Sequence, residues 1–158
     1  MIKTTKITAK QGKQDIWVER QFDAEKSLVF RLITEADLIA RWQGDTLTFK
    51  SYECKNGGFY ESSHIGSDGN TYGFRGVFHE IMPNERIIKT SEFLGLPFKV
   101  IPTLEIHSLE TLSPNQTKLT IQIICNSEEV RDAMVQHGMQ AQFDKIFTQA
   151  DSLLKSGI

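Results

Sequence analysis

The chain has only two cysteines, Cys54 and Cys125, far apart and in no CxxC arrangement. This excludes a disulfide framework and a cysteine-based zinc site as organising devices, and free thiols suit a reducing compartment. Positive charge is not in excess: 18 Lys and Arg stand against 20 Asp and Glu, for a formal net charge of −2. Such a surface has no field with which to hold nucleic acid or anionic lipid. No apolar run approaches the roughly 18 residues that a membrane-spanning helix needs. No apolar stretch follows Met1–Lys6, so a signal peptide is not expected either. The expectation is a cytoplasmic protein, monomer or homodimer, that engages neither nucleic acid nor membrane.

Signatures of chemistry are also missing. The histidines, His64, His79, His107 and His137, include no i, i+4 pair and no HxH on a strand, so no metal site is expected. There is no G-x-S-x-G elbow, no phosphate-binding G-x-x-x-x-G-K-[ST] and no strand–GxGxxG–helix unit. Gly57-Gly58 reads as a hairpin. No catalytic residue and no cofactor is assigned, and binding is a better first reading than catalysis.

What is present is a long series of strand patterns between two helical segments. Residues 1–14 are polar and Lys-rich, an extension or an edge strand, and residues 15–158 read as one domain. Asp15 to Phe22 alternates with period 2, placing Ile16, Val18, Arg20 and Phe22 on one face. Asp23 is a candidate N-cap for a short helix carrying Leu28, Val29, Leu32 and Ile33, and Thr34 for a second carrying Leu38, Ile39 and Trp42. From Thr46 to Cys125 six strands are predicted, with turns at Asn56-Gly57 (a type I′ hairpin signal), Ser67–Asn70, Pro83-Asn84 and Ser113–Asn115. Connections this short force antiparallel neighbours. Leu119, Ile121, Ile123 and Cys125 alternate toward a core, and Leu104, Ile106 and Leu112 of the preceding strand are expected on the same side. Ser127 then caps one long helix with an apolar stripe of Val135, Met139, Phe143, Ile146, Ala150 and Leu153. Arg131, Gln136, Gln140, Asp144, Lys145 and Asp151 fall on its other side.

This order builds an α+β fold in which a curved antiparallel sheet of six to seven strands grips a C-terminal helix, leaving a hollow near the two short helices. Trp42, Phe59, Phe74, Phe78, Met134 and Met139 are candidates to line it, in the manner of a mostly apolar ligand pocket. Gly138 costs the long helix about 1 kcal/mol against Ala, which calls for a close helix–sheet contact or for open space at that point. Arg20 is a candidate anchor for a ligand head group or one half of an ion pair, with Glu61 as its proposed partner. Arg75 and His107 raise the same question.

A set of segments then resembles a known family. Phe22-Asp23-Ala24, Val29-Phe30, Leu32, Leu38, Arg41-Trp42, Gly57-Gly58-Phe59-Tyr60, Asp68-Gly69, the run Gly76 to Ile87, Thr103-Leu104, Thr117–Thr120, and Gly138-Met139 with Phe143 follow in the order seen in the START-like, birch-pollen-allergen-like helix-grip (SRPBCC) superfamily. Within it they are most similar to the group of the activator of the heat-shock-protein-90 ATPase. The resemblance covers roughly residues 15–155 and departs after Trp42, where Gln43-Gly44-Asp45 replaces the second Trp and Gly-Pro often found in relatives. It implies an internal cavity for an apolar or amphipathic small molecule. Its alternatives are a cyclase- or hydratase-type enzyme acting on a cavity-bound substrate, and a co-chaperone-like module with a chaperone as partner.

Overall fold

A computed structural model describes residues 3–158. Twelve elements follow one another: β1 (Lys6–Thr8), β2 (Asp15–Phe22), α1 (Lys26–Thr34), α2 (Ala36–Gln43), β3 (Thr48–Tyr52), β4 (Phe59–Ile65), β5 (Thr71–Met82), β6 (Arg86–Leu94), β7 (Thr103–Ser113), β8 (Gln116–Ile124), α3 (Glu128–Gln136) and α4 (Met139–Ser156). The strands form one sheet in the order β1-β2-β8-β7-β6-β5-β4-β3, with antiparallel neighbours throughout. The short loops from β3 to β8 produce the meander, and β2 closes against β8 across the sheet.

The sheet has eight strands among the described residues, not the six or seven expected. The additional one is β1, an edge strand within residues 1–14, one of the two readings of that segment; its three residues pair with Trp17–Glu19 and are too few to show an alternating pattern. The expected single C-terminal helix is two helices, because Gly138 adopts φ 81 and interrupts the helical path between His137 and Met139. A Cβ at Gly138 would meet nothing within 4 Å, so of the two expectations it is open space that is found, on the exposed side of the helix break and not a close helix–sheet contact. The backbone turn itself explains the glycine, since left-handed conformations are routine only for Gly. The two-residue hairpin expected at Asn56-Gly57 is a wider connection. A turn closed by the Gly58 amide on the Lys55 carbonyl (2.8 Å) folds back onto β5, where the Phe78 amide bonds the Gly58 carbonyl at 2.8 Å.

Capping follows expectation at one helix and departs at two. The Ser127 hydroxyl accepts from the Val130 amide at 3.1 Å. At α1 and α2 the N-cap positions are Glu25 and Glu35, without side-chain caps. Thr34 instead donates to the Phe30 carbonyl within α1, at 2.6 Å.

The helices cover the inner face of the sheet, and the apolar side chains beneath them form two clusters. The larger joins Ile16, Val18 and Phe22 of β2 and Leu119, Ile121 and Ile123 of β8 to α1, α2 and α4. Its centre is Phe147, which meets Phe22 edge-on at 5.5 Å and stacks on Trp42 at 5.9 Å. Phe147 lies four residues past Phe143, in step with the stripe read from sequence. The smaller cluster is Tyr60, Phe78 and Ile87, against Tyr52, Cys54 and Ile81. Phe30 and Ile33 of α1 touch both clusters.

Candidate functional site

Between the two clusters the inner face turns polar. Ile16, Ile123, Glu105, Lys89 and Phe78 are successive cross-strand partners, a row that runs from the large cluster to the small one with two ionised side chains in its middle. Strand alternation puts His107 on the same face as Glu105, two residues along β7. One His107 ring nitrogen, Nε2, lies 2.9 Å from Glu105 Oε1. Lys89 Nζ stands 5.0 Å from the centre of the Tyr60 ring, within cation–π range. The Tyr60 hydroxyl reaches across to donate to the Thr90 carbonyl at 2.8 Å. That reach requires Gly76 beneath it, where an added Cβ would lie 3.0 Å from the ring and closer still to the Thr90 carbonyl.

This reverses the expected phase of β7. Leu104 and Ile106 pair with Ile124 and Gln122 and therefore lie on the outer face, while Glu105, His107 and Leu109 point inward. Leu112 is exposed.

Protonation states follow from these neighbours. Burial opposes the Glu105 charge, but the His107 N–H and the Lys89 ammonium outweigh it and pull the carboxyl down to about 2. Burial pushes His107 below its ordinary value despite Glu105, so at neutral pH the imidazole is uncharged and Nε2–H donates to the carboxylate. Burial also opposes the Lys89 charge, yet Tyr60 and Glu105 hold its pKa above the usual lysine value. Burial raises the Cys54 thiol and the Tyr60 phenol, which stay protonated. The site therefore presents one cation, one anion, a neutral imidazole and apolar surroundings.

The row is not sealed. The His107 and Glu105 side chains keep 12% and 18% exposure although they point toward the helices. Neither Lys89 Nζ nor His107 Nδ1 has a hydrogen-bond partner among the described residues, and neither is shut off from solvent. An ammonium or imidazole packed in dry apolar surroundings would cost several kcal/mol unless paired. The arrangement is thus suited to a polar head group, with His107 Nδ1 free to accept a proton.

The eight residues expected at the site are dispersed. Phe78 belongs to the small cluster, beside Tyr52 and Tyr60 at 5.7 and 5.2 Å. Met134 and Met139 are half-buried against the large cluster. Trp42 is buried in that cluster, with its indole N–H on the Leu32 carbonyl at 2.9 Å. Phe74 sits at the rim of the inner face, 5.2 Å from Phe93. Phe59 is on the outer face and 51% exposed, because it pairs with Val77 out of phase with Tyr60. Gly138 is exposed at the helix break.

Arg20 does point inward and is 2% exposed, but its partner is not Glu61. It forks onto Asp151 of α4, at 3.3 and 2.5 Å, and lies 5.1 Å from the Phe22 ring. Glu61 faces outward to Lys50 at 3.3 Å. Arg75 is also outside, paired with Glu92 at 3.1 Å, beside a depression of about 290 Å³ lined by Phe59, Val77 and Thr90. Arg131, assigned to the solvent side of the helix, is buried and paired with Asp132 and Glu128, and it donates to the Lys10 carbonyl.

Lys89 and Glu105 were not singled out from sequence, although a signal existed. Ile87-x-Lys89-x-Ser91 and Glu105-x-His107-x-Leu109 have the right period, in a phase that places charges with the buried apolar residues. No group of three His, Cys, Asp or Glu among the described residues is placed to hold a metal. No helix among them is long and apolar enough to cross a membrane.

Residues 23–155 match the family described as activator of Hsp90 ATPase homolog 1-like protein. The chain belongs to that family. Solved structures similar to this activator-like fold include a protein from Rhodobacter sphaeroides, 20% identical with a TM-score of 0.83, the match covering 97% of this chain and 99% of that one. A protein from Arthrobacter aurescens is 24% identical with a TM-score of 0.83, covering 96% and 91%. One from Mycobacterium smegmatis is 14% identical with a TM-score of 0.85, covering 98% and 99%. At these identities the likeness establishes the helix-grip fold and nothing about ligands. Comparison with functionally curated proteins gave no match.

Proposed function

We propose that this activator-like protein binds an apolar or amphipathic small molecule in a recess between the sheet and the C-terminal helices. The observation that carries the reading is the Lys89–Glu105–His107 row, set between two apolar clusters and still in contact with solvent. Charged groups in that position are tolerated when they face a wet, occupiable space. Phe30 and Ile33, half-buried against both clusters, and Met139 and Phe143, half-buried against the large one, would supply adaptable apolar wall, with Phe78 at the far end of the row. Of the residues named from sequence, Phe78, Met134 and Met139 stay in this proposal. Trp42 supports the wall from behind, Arg20 is spent on Asp151, and Phe59 and Gly138 drop out.

The test is a thermal-shift screen against fatty acids, aromatic acids and polyketide-like aromatics. A true ligand at about 100 times its dissociation constant adds about 2.7 kcal/mol, which raises Tm by several degrees in a domain of this size. No shift from any class contradicts the reading.

A second reading, an enzyme of the cyclase or hydratase kind, is favoured by one observation: His107 Nε2 lies 2.9 Å from Glu105 Oε1, a contact that orients the imidazole and leaves its other nitrogen available as a base. Turnover of a bound polyketide-like probe, abolished by His107→Gln, supports it; binding without turnover leaves the protein a binder. A chaperone partner rests on the family name and on exposed Phe98 and Ile101 between β6 and β7, and an ATPase-stimulation assay decides it. Two free thiols suit a cytoplasmic location.

A further inference from the structure

Arg20, Arg131 and Lys89 point into this fold, and they are not treated alike. Arg20 has Asp151, and Arg131 has Asp132 and Glu128. Lys89 has no carboxylate within 4.0 Å among the described residues, and the Tyr60 ring centre lies 5.0 Å from its Nζ. The acid next to it in register, Glu105, is turned along β7 to His107. Glu105 is thus near enough to keep the ammonium charged but does not occupy its donors. A lysine ammonium has three N–H donors and no acceptor, so what completes this site is an oxygen acceptor, and the strongest is an anionic one.

We propose that Lys89 is the anchor for the carboxylate head of an amphipathic acid, whose apolar tail runs between Phe30 and Ile33 of α1 and Met139 and Phe143 of α4. The inference rests on the recess reading above and adds the chemical class of the ligand. Two features of the site favour a carboxylate over a neutral or cationic head. Unlike Arg20 and Arg131, the Lys89 ammonium has no carboxylate at contact distance among the described residues, so a carboxylate gains a charge-assisted contact that an alcohol gains only weakly. An amine would meet Lys89 as a like charge. Tyr60, pinned to the Thr90 carbonyl across Gly76, fixes the side from which Nζ is approached, since its ring covers the other.

Isothermal titration of the full chain with decanoate, decanol and decylamine, below their aggregation thresholds, tests this. Decanoate is expected to bind about tenfold or more tightly than the other two, the worth of one charge-assisted hydrogen bond. Lys89→Met should remove that preference while leaving decanol binding in place, and Lys89→Arg should keep it. Carbon-13 methyl shifts of Met134 and Met139 on adding decanoate to the unaltered protein place the tail without any variant. Equal affinity for the three heads, or a decanoate preference that survives Lys89→Met, overturns the anchor while the recess stands. Absence of binding by all three, with unmoved methionine methyls, overturns the recess and the anchor together.

Discussion

Glu105→Gln is the substitution that interrogates the polar row most directly. It keeps an oxygen for the His107 N–H to bond and removes only the charge. In the folded protein the Glu105 carboxyl lies at about 2, against an ordinary value of 4.5. A carboxyl whose folded pKa is lowered stabilises the fold above its unfolded value and loses that contribution as pH falls through the folded one. The gap is worth roughly 3 kcal/mol at neutral pH and about half of that at pH 3. Urea unfolding followed by circular dichroism at both pH values measures it. The variant should lose roughly 3 kcal/mol at pH 7, and its deficit should shrink by about half at pH 3. His107, also lowered, makes the wild type lose further stability below the ordinary histidine value. A deficit under about 0.5 kcal/mol at both pH values would place Glu105 among ordinary solvated surface acids and refute the description of the row.

Asp151→Asn leaves the Arg20 guanidinium buried without a counter-charge, and breaking a buried pair from one side costs about 3–5 kcal/mol. Because Asp151 is 24% exposed, the lower end is expected in chemical denaturation. Phe147→Ala should cost about 3–5 kcal/mol, as for other large aromatic truncations in a packed core, and thermal unfolding reads it. Gly138→Ala meets no atom but forces a left-handed backbone at roughly 1–2 kcal/mol, so Tm should fall slightly without change in ligand affinity.

Much of the fold was legible in the sequence because most strands bury apolar residues on one face and wet the other. β2 and β8 show this, with Ile16, Val18 and Phe22 against Leu119, Ile121 and Ile123. The site was not legible, and for a related reason. Where the inner face borders solvent, polarity no longer marks the outside, so Leu104 and Ile106 looked like core residues and Glu105 and His107 like surface. The same ambiguity sent Arg131 to the wrong side of its helix. Arg20 was placed correctly, since three apolar neighbours in phase fixed its face, but its partner lies on α4, more than a hundred residues away (|i−j| = 131), and no local pattern announces it. The break at Gly138 was hidden because the apolar stripe continues in step on both sides of it.

The proposed binding requires occupiable volume between the sheet and the terminal helices, beside the Lys89–Glu105–His107 row. Crystals of the protein under xenon pressure measure that most directly, because xenon fills apolar voids without needing a particular ligand. Xenon density is expected on the inner face, in contact with Met139 or Phe143 and beside ordered water at Lys89. Xenon found only on the outer surface, with side chains filling the space between β6, β7 and α4, would contradict it.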